Sequence, residues 1–168
     1  MTSINKMHFS LIALFLVNLI FAQGKPTSSK EVATGKINGA TITINYGSPS
    51  VNARPIWGAL VPYDEIWRAG ANDATTFETD KDLTIQGAKL PAGKYSFFVI
   101  PNQKKCTIIF NKEAKQWGAY KYKETEDQLR VTVKPQVSKF FVEKLVYKIK
   151  DKKVNLSWEK WNIPISIK

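Results

Sequence analysis

The strongest constraint on this chain is a two-residue rhythm of apolar side chains. Ile42, Ile44 and Tyr46 alternate with Thr41, Thr43 and Asn45. Leu129, Val131 and Val133 alternate with Arg130, Thr132 and Lys134, and Val154, Leu156 and Trp158 with Asn155, Ser157 and Glu159. Successive strand residues point to opposite faces, so this spacing fits half-buried β-strands and not helices. Leu145, Tyr147 and Ile149 repeat the pattern among lysines. The run from Lys94 to Ile100 is apolar at adjacent positions, which suits a central strand covered on both faces.

Turn residues separate these runs. Asn38-Gly39 tolerates the positive φ that a two-residue hairpin needs. Leu90-Pro91-Ala92-Gly93, Pro101-Asn102 and Asp151-Lys152-Lys153 mark further turns. Two short strands flank Asp80-Lys81-Asp82, and Cys106 to Phe110 returns as a hairpin partner of 94–100. Cys106, the only cysteine, shares a strand face with Ile108 and Phe110 and reads as a small buried hydrophobe. Ile163, Ile165 and Ile167 suggest a final strand, held to a sheet edge by Pro164. Only residues 63–68 and 112–117 look helical. The expectation is an all-β fold: a single-domain antiparallel β-sandwich over 31–168, with one long aromatic loop and one or two short helices. A barrel is the alternative closure. The chain has 168 residues, 43% hydrophobic and 23% charged, which fits one domain and excludes disorder.

Residues 1–22 read as a secretory signal peptide, with Lys6 ahead of an apolar stretch from Phe9 to Phe21 and Ala22 at the cut. That stretch is shorter than the roughly 20 residues of a membrane span and carries Asn18, so no anchor is expected after cleavage. No cysteine follows it to take a lipid. The expected location is therefore secreted or periplasmic, with a flexible segment at 23–30. Charge is uneven beyond the leader. Residues 23–102 carry 8 basic and 7 acidic groups, whereas 103–168 carry 16 and 7. Nearly all the basic groups are lysine, and base and phosphate recognition leans on arginine, so nucleic acid is not an expected partner. A lysine-rich strand face also keeps sheet edges from aggregating.

Residues 47–73 break the strand pattern, with Pro49, Pro55 and Pro62 among large aromatics. Long ordered loops in small domains are often functional. Arg54, Trp57, Tyr63, Trp67, Arg68, Asn72 and Asp73 are the candidate ligand-binding residues, because rings stack on sugars or apolar groups while Arg, Asn and Asp orient polar ones. The same residues equally fit a loop that caps one open end of the sandwich, its tryptophans plugging the core.

The loop also carries a resemblance. Arg54-Pro55-Ile56-Trp57-Gly58-Ala59-Leu60-Val61-Pro62-Tyr63 and Ile66-Trp67-Arg68-Ala69-Gly70-Ala71-Asn72-Asp73-Ala74-Thr75 resemble the signature of the family called domain of unknown function 2911. The likeness continues through Leu90 to Pro101, Ile108 to Lys112, Gln116 to Tyr120 and Asp127 to Val131. Asp73 stands where Glu is expected in many relatives. The resemblance implies a secreted or periplasmic protein, mainly of Bacteroidetes, with a single all-β domain. It carries no catalytic residue.

The one histidine, His8, lies in the leader. Beyond it, Ser-His-Asp and Cys-His catalysis and His-ligated metals are excluded. No phosphate loop, nucleophile elbow or zinc spacing is present, and no cofactor is expected. Calcium on Asp64, Asp80 or Asp82 would lack an EF-hand loop. Three functional readings follow. The first is a non-catalytic binding module for a small molecule or saccharide at loop 47–73. The second is a structural or interaction protein that meets an envelope protein partner through its lysine-rich C-terminal strands. The third is a hydrolase using a carboxylate pair among Asp64, Glu65, Asp73 and Glu78.

Overall fold

The structure is a computed structural model that describes residues 28–168. The leader expected at 1–22 and residues 23–27 lie outside the described residues. Ten strands follow in order: β1 (Ser28–Ile37), β2 (Ala40–Pro49), β3 (Thr75–Thr79), β4 (Leu83–Ile85), β5 (Ala88–Leu90), β6 (Gly93–Ile100), β7 (Cys106–Asn111), β8 (Asp127–Val133), β9 (Gln136–Lys150) and β10 (Lys153–Ser166). β1 thus opens three residues before the expected domain start. Asn38 and Gly39, with φ of +50° and +78°, join β1 to β2 as the Asn-Gly pair foretold.

Six strands form one antiparallel sheet in the order β1-β2-β3-β6-β7-β8. β6 sits centrally, as its apolar run required: Phe97 and Val99 face one side and Phe98 the other, all buried. β9 and β10 pair as a long hairpin across the inner face. Its tip turns on Asp151 and Lys152, with φ of +53° and +57°. β9 is tied to the end of β2, since Val51 N–H donates to Glu143 O at 2.8 Å and Ser48 Oγ to Leu145 O at 2.7 Å.

β10 does not run straight. Ile167 N–H donates to Lys152 O at 2.8 Å, although fourteen extended residues would span about 45 Å. Ser157 Oγ donates to Asn162 Oδ1 at 3.0 Å, which centres the reversal on Glu159, φ +54°. The isoleucine run at 163–167 is therefore no separate strand. It is the returning half of β10, and it bonds onward to β4 through Thr84 and Lys168, each 2.8 Å. Pro164, which has no N–H to give, falls beyond the last of these bonds, Gln86 N–H to Ser166 O. The second layer thus combines β9, the two halves of β10 and the β4–β5 hairpin. The antiparallel sandwich is borne out, and the barrel is not: the sheets do not close into one.

Between the layers lie Phe77, Phe97, Phe110, Tyr147, Leu156, Trp158, Ile163 and Ile165, all buried. Cys106 is buried among them, and burial pushes its thiol up. The expected short helices are absent. The described residues hold no α-helix, only a 3-10 turn at Glu124–Glu126. In 63–68, Asp64 takes φ +62°, and the N–H groups of Asp64 and Trp67 go to Pro101 O and Val99 O. In 112–117, Gln116 O accepts from Ala74 N–H at 2.9 Å, and Trp117 bridges to Asp73 in strand fashion, so this segment pairs with the long loop instead of coiling.

Trp158 is the largest of the fully buried side chains. Trp158→Ala should cost about 3–5 kcal/mol in urea unfolding. A loss below about 1 kcal/mol would show that the core does not rest on it.

Candidate functional site

The long loop is held at both ends by the sheets. Residues 64–68 prolong the ladder on β6: Trp67 and Val99 exchange N–H to C=O bonds of 2.8 and 2.9 Å. Residues 69–74 then leave the ladder, and Thr75 N–H rejoins it on Arg68 O at 3.2 Å. This detour crosses β2 at glycines. A Cβ on Gly47 would meet Ala71 O at 2.1 Å, and one on Gly70 would meet Gly47 O at 2.9 Å, so the two backbones touch only because both are glycine. Beneath the crossing, Tyr147 Oη donates to Ala69 O at 2.7 Å and Thr75 Oγ1 donates to it at 3.0 Å. Burial holds the Tyr147 hydroxyl protonated, well above the ordinary tyrosine range.

The loop aromatics pack inward. Trp57 stacks on Trp161 at 4.5 Å and meets Trp67 edge-on at 5.6 Å. Trp67 lies 6.0 Å over Trp158, and Tyr63 lies 6.0 Å from Trp161. These rings close one end of the sandwich against β10. Arg54 is engaged within its own loop, donating from Nε to Val51 O and from its guanidinium to Ser50 O. Arg68 is half-buried close to Gly118 and does not line the groove described next.

Asn72 and Asp73 stand elsewhere, on the outer face of the six-stranded sheet. There the register aligns one row across five strands. Val32 is opposite Asn45, Asn45 opposite Thr76, Thr76 opposite Ser96 and Ser96 opposite Asn111. Directly opposed residues share a face, so this row is largely polar on a sheet whose other face is core. Gln116 covers half of it. Its Nε2 donates to Glu113 O at 2.8 Å and to Asn111 Oδ1 at 3.2 Å, and lies 3.2 Å from Ser96 Oγ. The other half, Val32, Asn45 and Thr76, is the floor of an open groove of about 930 Å³. Residues 71–74 and 114–117 wall it, joined by Ala74 N–H to Gln116 O at 2.9 Å and Gly118 N–H to Asn72 O at 3.1 Å.

Trp117 stands on the rim of this groove, 61% exposed. Gln116 is only 6% exposed, lines the groove, and its Oε1 has no hydrogen-bond partner among the described residues. Asp73 pairs with Lys30 at 3.6 Å, and Lys94 with Glu78 at 3.2 Å. Behind the second wall, Tyr122 donates to Asp127 Oδ2 at 2.6 Å, its hydroxyl raised chiefly by burial and then by this bond, and Asn111 Nδ2 donates to Lys123 O and Asp127 Oδ1.

Of the seven expected site residues, then, Trp57, Tyr63 and Trp67 join the core closure, and only Asn72 and Asp73 reach the groove. Sequence reasoning missed Val32, Asn45, Thr76, Gln116 and Trp117. Trp117 was the one readable signal, a large ring in a polar segment between strands. Among the described residues no group of three or more His, Cys, Asp or Glu is placed to hold a metal ion.

A family model described as "Protein of unknown function (DUF2911)" matches residues 28–167. No curated protein and no solved structure matches the chain.

Gly47→Ala should lower stability by about 1–3 kcal/mol, because the crossing loop must move off β2. Thermal or urea unfolding reads this directly. An unchanged midpoint would mean that the close approach of Gly47 and Ala71 is dispensable.

Proposed function

We propose a ligand-binding function for this chain, which belongs to the DUF2911 family of proteins of unknown function: it is a non-catalytic module that takes a saccharide in the groove beside Trp117. The observation that carries the reading is the pairing of an exposed indole with a polar floor. The flat apolar face of a sugar stacks on such a ring, while its hydroxyls exchange hydrogen bonds with amides, hydroxyls and carboxylates. Asn45, Thr76, Asn72 and Asp73 supply those groups, and the buried Gln116 Oε1 is an acceptor without a donor. The groove volume lies in the usual range for small-ligand sites, about 300–1,000 Å³. Export of the chain by the leader expected at 1–22 would bring this groove to envelope or extracellular polysaccharide.

Hydrolysis fits less well. Asp64 accepts a bond from Asn102, Asp73 is paired with Lys30, and Glu78 is paired with Lys94, so each of these three acids has its own partner. A carboxylate pair facing one bond is what the chemistry requires.

The test is a thermal-shift screen of the protein against neutral and acidic oligosaccharides, peptidoglycan fragments and small carboxylates. Saturation near 100 times Kd should raise Tm by about 5–10 °C. Trp117→Ala should keep the native Tm and lose the shift. Silence from every oligosaccharide, or a shift that survives Trp117→Ala, would overturn the reading.

A further inference from the structure

Three exposed large hydrophobic side chains cluster at the start of β9. Val137 is 80% exposed, Phe140 78% and Phe141 54%. The register explains why. Val137 pairs with Trp161 and Val142 with Glu159, so residues 138–141 face Lys160 alone and bulge from the hairpin. Ser138 fixes the bulge: its hydroxyl donates to Phe140 O at 2.7 Å and accepts from Phe140 N–H at 3.2 Å. The two rings are therefore presented on a braced turn.

The surroundings are basic. Lys139 lies in the bulge, Lys134 and Lys144 lie within four residues of it, Lys160 opposes it, and none of the four pairs with a carboxylate among the described residues. Of the nearby acids, Glu143 is engaged by Asn52 N–H at 2.9 Å, and Glu159 occupies the β10 reversal. Burying two phenylalanines covers about 150–250 Å² each. With one valine this falls short of the roughly 800 Å² per partner of a stable protein interface. Symmetric pairing with a second copy would also set these lysines against each other.

We infer that the 137–141 bulge docks the protein on an anionic lipid surface, Phe140 and Phe141 entering the headgroup boundary while the lysines meet acidic lipids. Apolar insertion and lysine attraction add in such contacts, and each lysine near the surface contributes about a fivefold gain in affinity. Among the described residues no helix is long and apolar enough to cross a membrane.

The test places an environment-sensitive fluorophore at Phe140→Cys in the full chain. Cys106, buried with its thiol raised, should not take the label. Vesicles are phosphatidylcholine alone or with one part in three phosphatidylglycerol. The control label sits at Tyr120→Cys, on an exposed residue of the loop before β8. We expect a blue shift, and quenching by brominated lipid, for the label at 140 on anionic vesicles only, lost in molar salt and about fivefold weaker in affinity with Lys144→Ala. No shift at 140, an equal shift on neutral vesicles, or an equal response at 120 would overturn the inference. The first of these would turn attention to an acidic protein.

Discussion

The stack of Trp57 on Trp161 is the contact on which the rest of the molecule depends. It joins the long loop to the returning half of β10, two segments about a hundred residues apart in the chain. With Trp67 over Trp158, it seals the end of the sandwich that neither sheet can cover. Aromatic pairs of this kind contribute about 0.5–1.5 kcal/mol beyond the area they bury. Their larger consequence is positional. A loop fixed by its rings into the core can carry its remaining residues across β2 at Gly47 and set 71–74 as a rigid wall on the opposite face of the sheet.

Two faces of one sheet thus do different work. The inner face is continuous hydrophobic core. The outer face carries the row from Val32 to Asn111, half covered by Gln116 and half open. The open half lies over Val32, Asn45 and Thr76, between the walls that residues 71–74 and 114–117 form. The covered half is where Phe98 and Ile109 need shielding from water, and Ala74, Ile66, Ala119 and Tyr122 supply it. The groove is what remains when the loops stop at the edge of that apolar patch.

Much of the fold was legible because strand alternation is local. Each of the hairpins at 38–39, 101–106 and 151–153 was announced by its own residues, and Phe97-Phe98 announced a strand covered on both sides. What was not legible depends on pairing across the chain. The isoleucines at 163–167 looked like a separate strand because nothing local signals that Glu159 takes a positive φ. Residues 63–68 had helical spacing, but the open edge of β6 beyond β3 claims their N–H groups. The candidate site failed in the same way. Trp57 and Trp67 read equally as ligand platforms or core plugs until Trp158 and Trp161 were brought against them. Asn45 and Thr76 each looked like an ordinary solvent-facing strand residue, and only the register sets them side by side.

The central claim is that the indole of Trp117, and not the indoles of the core closure, meets ligand. The five indole N–H groups give five separable signals in a proton–nitrogen NMR spectrum, which makes titration with an oligosaccharide the most direct measurement. The account predicts that the Trp117 signal moves together with the backbone amides of Asn72, Asp73 and Thr76, while Trp57, Trp158 and Trp161 hold still. Movement of Trp57 and Trp161 with Trp117 unmoved would contradict it and return the site to the closed end of the sandwich.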